Sequence, residues 1–266
     1  MYDPALHSRE IVLFKSYYVN QCFPQYQVVR SIPDGPQAPL PVSVVVFSRS
    51  RQEEIALLHE TFNRVSAAVI KCLPDSRNKV LKLMPVYDEA DGTHAEMRPD
   101  SNTVVTAHGL IKYCDAAQLA LVQAHEIVHK ALGHAPSLSI ARSISCFPPT
   151  GSIDTSLIQL LHAVNDTPQD DNPYLRLRQL HPYLSRHHER EADQIGILAT
   201  LRAGYDPRSA CELWSKLAQV YQVDFERPVL PQHTHPSYAE RTANALTIVA
   251  HQQQKGSYML PMVRVS

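Results

Sequence analysis

Near the middle of the chain stands Ala124-His125-Glu126-Ile127-Val128-His129-Lys130, an H-E-x-x-H pattern. On an α-helix residues four apart share a face, so His125 and His129 can offer two imidazoles to one ion while Glu126 sits beside it. A carboxylate so placed can take a proton from water whose pKa a zinc ion lowers to about 7, which is the chemistry of a metallohydrolase. With 14 histidines in the chain the pattern is only suggestive by itself. A helical setting and a third ligand are what it needs.

His134 is the nearest candidate for that ligand, but it does not fit the short-range plan. In that plan a third histidine lies six residues beyond the second and a glycine three beyond it; here Ala135 and Leu132 hold those places. His134 is expected to pack against or cap the helix end instead. The better candidate is Glu189, in His187-His188-Glu189-Arg190-Glu191-Ala192-Asp193-Gln194-Ile195-Gly196. Glu189 and Asp193 are four apart, so on one helix face Glu189 can ligate while Asp193 orients a ligating imidazole. Zinc, one ion per chain, is the expected occupant of two imidazoles and one carboxylate with a position left open.

The elements that must position these groups are legible to different degrees. Asp115-x-x-Gln118 reads as the cap of a helix carrying His125 and His129, with Leu119, Val122, Val128 and Leu132 as its apolar contacts. Asn102 to Thr106 reads as a strand just before it, one that as a sheet edge could pair with an extended peptide. Upstream, Val42 to Phe47 is a β-branched strand candidate. Ser50-x-x-Glu53 is a capping box opening a helix with Ile55, Leu58, Phe62, Val65 and Val69 on one face, Val80 to Val86 is a second strand, and Asp88 to Asp100 a loop. Downstream, three helices follow: Ser185 to Arg202 before Gly204, one opened by Asp206-Pro207, and a last one with Pro236 in its first turn.

Residues 1–40 are weakly patterned, 41–255 read as a single domain, and 256–266 as a tail. The long stretch at 135–182, with one helix near 155–164 and an acidic, proline-containing run at 166–173, reads as an insertion or lid. Lys and Arg number 25 against 26 Asp and Glu, so no charge excess argues for nucleic acid or an anionic membrane. No apolar run is long enough to span a bilayer and no leader pattern opens the chain, so a soluble, cytoplasmic location is expected. Five cysteines without a C-x-x-C pair suit buried thiols in a reducing compartment.

The run Tyr183 to Gly196, followed by Arg202-Ala203-Gly204-Tyr205-Asp206-Pro207, resembles the zinc metalloendopeptidases related to HtpX and the CAAX prenyl protease. Gly109-Leu110 and the phrase Ala124 to His129 share the resemblance, which covers roughly residues 100–250. It implies a gluzincin-type α+β domain, mostly helical, with a small sheet whose edge strand precedes the motif helix. It also implies zinc on His125, His129 and Glu189, and Glu126 as general base. Thr234-His235-Pro236-Ser237 with Arg241 fits a further family element: His235 is a candidate donor to the oxyanion or occupant of the open metal position, and Arg241 a candidate to fix a carboxylate or the substrate backbone. His233 is a decoy beside it. The expected activity is zinc-dependent hydrolysis of protein substrates bound in extended form along Thr103 to Thr106. The alternative is a metal-stabilised binding or chaperone-like module on the same fold. An aminopeptidase would need an acidic cluster for the substrate amine that the sequence does not supply.

Overall fold

Ser50 opens the first helix as its sequence requires: the Glu53 amide donates to Ser50 Oγ at 3.3 Å and the Ser50 amide to Glu53 Oε2 at 2.7 Å. Both halves of the capping box are thus closed. The helix it opens, α1, spans Arg51–Cys72 and buries Leu58, Phe62, Val65 and Val69. In this computed structural model residues 42–135, 138, 180–227, 229–230 and 232–254 are described. The expected N-terminal segment, nearly all of the 135–182 insertion with its helix, and the tail lie outside them.

After a short 3-10 turn and α2 (Arg77–Val80) come three strands, β1 (Met84–Asp88), β2 (Ala95–Arg98) and β3 (Thr103–Ala107), in the sheet order β1-β3-β2. β1 runs parallel to β3, with Val86 opposite Val105, and β2 runs antiparallel to it, with Met97 opposite Val104. The strand before the motif helix is therefore central, and both of its edges are taken. This corrects the expectation that Thr103 to Thr106 forms an exposed edge. The physical reason lies in its composition: Thr-Val-Val-Thr-Ala is apolar or β-branched without alternation, and Val104 to Ala107 are all buried, as befits a strand covered on both faces. β2, by contrast, falls in the stretch expected to be loop, because Ala-Glu-Met-Arg carries little β-propensity of its own and forms a strand by pairing with β3. Val42 to Phe47, expected as a strand, forms none; the Phe47 amide donates instead to the Lys112 carbonyl at 2.8 Å.

A short α3 (His108–Ile111) leads to the motif helix α4 (Ala116–Leu132). Asp115 and Gln118 cap it reciprocally, the Gln118 amide donating to Asp115 Oδ1 at 2.9 Å and the Asp115 amide to Gln118 Oε1 at 3.3 Å. Inside, the buried Gln123 amide group donates to the Leu58 carbonyl and accepts from the Thr61 hydroxyl, which satisfies a polar side chain that would otherwise be costly in the core. Three long helices complete the described chain: α5 (Leu180–Arg202), α6 (Pro207–Tyr221), capped by Asp206, and α7 (Tyr238–Gln254). Pro236 lies just ahead of α7 rather than in its first turn, and the Ser237 hydroxyl accepts from the Glu240 amide. Among the described residues no helix is long and apolar enough to cross a membrane.

These residues divide into two compact units, neither continuous in sequence. The smaller takes 132–135, 180–191 and 229–236, and the larger takes 42–131, 192–227 and 237–254. The core of the larger unit gathers the buried faces of α1, β3, α4, α6, α7 and the second half of α5.

Candidate metal centre

In the larger unit α4 presents His125 and His129 one turn apart, and their Nε2 atoms face each other at 3.0 Å. Two nitrogens bound to one zinc ion at 2.0 to 2.1 Å in tetrahedral geometry stand about 3.3 Å apart, so the pair fits a shared cation. The other ring nitrogen of His125 is committed. Nδ1–H donates to Asp193 Oδ1 at 2.9 Å, which leaves the Nε2 lone pair on the side of His129.

Asp193 is itself held. Arg241 donates from Nε to Oδ2 at 2.7 Å and from Nη2 to Oδ1 at 2.6 Å, a bidentate clamp between α7 and α5. Burial alone would raise the Asp193 carboxyl, but the Arg241 charge beside it and the bond from His125 outweigh that and hold it below the usual carboxylate range. The Arg241 guanidinium carbon lies over Trp214 of α6, 3.6 Å from the ring centroid, and the same indole meets the His125 ring edge-on at 6.5 Å. His125, Asp193 and Arg241 are all at most 7% exposed, so this chain of charge is shielded from water and correspondingly stiff.

The close fit of α5 on α4 depends on Gly196. A Cβ there would stand 3.3 Å from the His125 backbone nitrogen and 3.5 Å from Leu121 Cδ1, so any larger side chain pushes the Asp193 helix off the His125 helix. Glu126 points toward the sheet, where its Oε2 accepts from the Met97 amide of β2 at 2.9 Å. That amide faces away from β3, so the edge strand runs beside the carboxylate next to the two imidazoles.

The remaining candidates lie in the smaller unit. Glu189, one turn before Asp193 on the same helix, is 7% exposed, and His235 Nε2 stands 3.8 Å from its Oε2. His235 is largely exposed, with Nδ1 against the Thr234 hydroxyl at 2.9 Å. The His233 backbone carbonyl accepts from Arg186 Nη1 at 2.5 Å, and its ring nitrogen accepts from the Leu230 amide. His134 and Glu191 pair at 3.4 Å elsewhere in this unit.

Three contributors escaped the sequence reading: Trp214, the Met97 backbone and the packing role of Gly196. Trp214 sits at an ordinary apolar position of an amphipathic helix, and a backbone amide has no signature. A glycine inside a helical pattern is a signal of close approach and was available at Gly196.

Compared with known proteins, residues 92–249, more than half of the chain, match peptidase family M48. The mitochondrial metalloendopeptidase OMA1 of Schizosaccharomyces pombe is 31% identical over 142 residues, which are 52% of this chain and 38% of that protein. The chain thus spans well under half the length of that relative. The match takes in the imidazole pair, the clamp on Asp193 and the strand beside Glu126, and on that ground the chain belongs to peptidase family M48, a family of metallopeptidases.

Proposed function

We propose that the chain is a zinc metalloendopeptidase in which His125, His129 and Glu189 hold the ion and Glu126 is the general base. The observation that carries the reading is the His125 ring, tied at Nδ1 to the clamped Asp193 and turned at Nε2 toward His129. A neutral imidazole fixed in that tautomer is built to be a ligand rather than a surface cation. Glu189 is the third donor because it shares the α5 face with Asp193 and its carboxylate is buried. When bound, zinc supplies a Lewis acid that acidifies water and polarises the scissile carbonyl.

The chain's own groups then do the following. Glu126 takes a proton from the attacking water and passes it to the leaving amine. His235, exposed and beside Glu189, donates to the oxyanion. Asp193 and Arg241 are positioning residues, because the guanidinium is spent on the carboxylate and both are buried. The substrate is a protein segment in extended form, and the edge it adds to is β2, whose outward Met97 amide already lies beside Glu126.

Casein incubated with the purified chain should yield fragments that vanish with a strong chelator and return with added zinc. Glu126→Gln should cut that hydrolysis about 10²- to 10⁴-fold while leaving the zinc content unchanged. Cleavage that persists with chelator, or undiminished in the Glu126→Gln protein, would defeat the proposal.

A further inference from the structure

A second cluster of ligand-type side chains lies in the smaller unit, on another face of α5. His134, His188 and Glu191 each offer a ligand atom, and these three atoms lie within 4.8 Å of one another. On a helix His188 and Glu191 are three apart and share a face, whereas Glu189 and Asp193 share another face some 160° away from Glu191. The two groupings are therefore separate. His134 joins from the other side of the sequence: Gly133, with φ of 71°, ends the motif helix in the left-handed region and turns the chain so that the next residue faces Glu191.

The chemistry of the cluster is unusual for packing alone. All three residues are at most 5% exposed. The Glu191 carboxylate has two ion-pair partners among the described residues, and both are imidazoles, His134 at 3.4 Å on one oxygen and His187 at 3.4 Å on the other. A buried carboxylate needs a cation beside it, and a metal ion held by the neighbouring imidazoles is one such cation. The rings of His134 and His188 stack with centroids 4.0 Å apart and planes 2° from parallel, which sets the two imidazoles side by side next to Glu191. A divalent cation suits this geometry: it neutralises the carboxylate and takes an in-plane lone pair from each imidazole. Two imidazole nitrogens and a carboxylate oxygen are a donor set for zinc or a neighbouring transition ion, not for calcium or magnesium.

We propose that His134, His188 and Glu191 form a second, buried transition-metal site, with His187 holding the free oxygen of Glu191. Ligation requires the stacked rings to splay until their nitrogens approach to about 3.3 Å, a movement of side chains alone. A metal bound there ties His134, just past the end of the motif helix, to the helix residues His188 and Glu191 and has a structural role. The site is independent of the reading given above, because it shares no ligand with it.

The test is zinc stoichiometry of the purified full-length chain after dialysis against a weak chelator, measured by elemental analysis with circular dichroism as a check on folding. The expected result is two ions in the unaltered chain, one in His188→Gln, one in Glu191→Gln, one in His129→Gln and none in the His129→Gln/His188→Gln double variant. One ion in the unaltered chain, kept by His188→Gln and lost by His129→Gln, would overturn the second site and leave the first intact. A second ion that neither His188→Gln nor Glu191→Gln removes would overturn it as well, by placing that ion elsewhere. Loss of one ion in His188→Gln with none lost in His129→Gln would support the second site and count against the first. Should the His188 and Glu191 variants unfold, cobalt added to the folded His129→Gln protein decides the matter: visible absorption of four-coordinate cobalt is expected, and its absence would overturn the proposal.

Discussion

At the scale of single residues, Asp193 shows most plainly how a buried carboxylate is fixed by its neighbours. It receives two bonds from Arg241 and one from His125, so it can neither rotate nor pick up a proton readily. Asp193→Asn keeps the size but loses the charge that favours Nδ1–H on His125, and it should weaken zinc binding about 10- to 100-fold, measured by competition with a calibrated chelator. An unchanged affinity would mean that the ring is oriented by packing alone. The imidazole pair, Glu126 and the Glu189/Asp193 spacing were all legible in the sequence, because helical periodicity converts four-residue spacing directly into a shared face. Arg241 was legible only through family resemblance. Its partner is 48 positions away, and nothing local announces such a pairing.

Among elements, α4 and α5 approach so closely at His125 because α5 has no side chain at Gly196. Gly196→Val should therefore destabilise the fold by about 1 to 3 kcal/mol through overpacking, read as a lowered urea midpoint. The same variant should bind zinc more weakly, since the added side chain lies against the His125 backbone. Destabilisation without any change in zinc affinity would show that the helices yield elsewhere. The sheet was the least legible element. Capping boxes mark the starts of α1 and α4 in the sequence because each is a contact between residues three apart. β2 has no comparable local device, and its existence depends on finding β3 to pair with. Missing β2 also misplaced the edge, since a hidden neighbour turns an apparent outer strand into a central one.

For the molecule as a whole, the groups that are buried uncharged set its response to alkali. Burial pushes the Cys114 and Cys211 thiols up to about 12 from an ordinary 9.0. Burial, with help from neighbouring Glu54 and Tyr221 respectively, does the same to the Tyr87 and Tyr238 phenols, from 10.0 to about 12. A pKa raised on folding means that the native state holds its proton longer, so the stability from these groups is whole below the unfolded values and is lost as pH rises toward about 12. The urea midpoint should accordingly fall steadily from about pH 9 upward, and Cys114 and Cys211 should stay unmodified by a thiol reagent at pH 8 until the chain unfolds. Rapid labelling of either in the native protein would contradict their placement. How the chain divides into units was not legible, because each unit is assembled from separated stretches. Trp214, finally, is the chain's one tryptophan, and it sits edge-on to the imidazole of His125. The protein thus carries its own optical gauge: copper or cobalt loading should dim the indole emission in step with occupancy, zinc should not, and a titration in a fluorimeter needs no label to follow it.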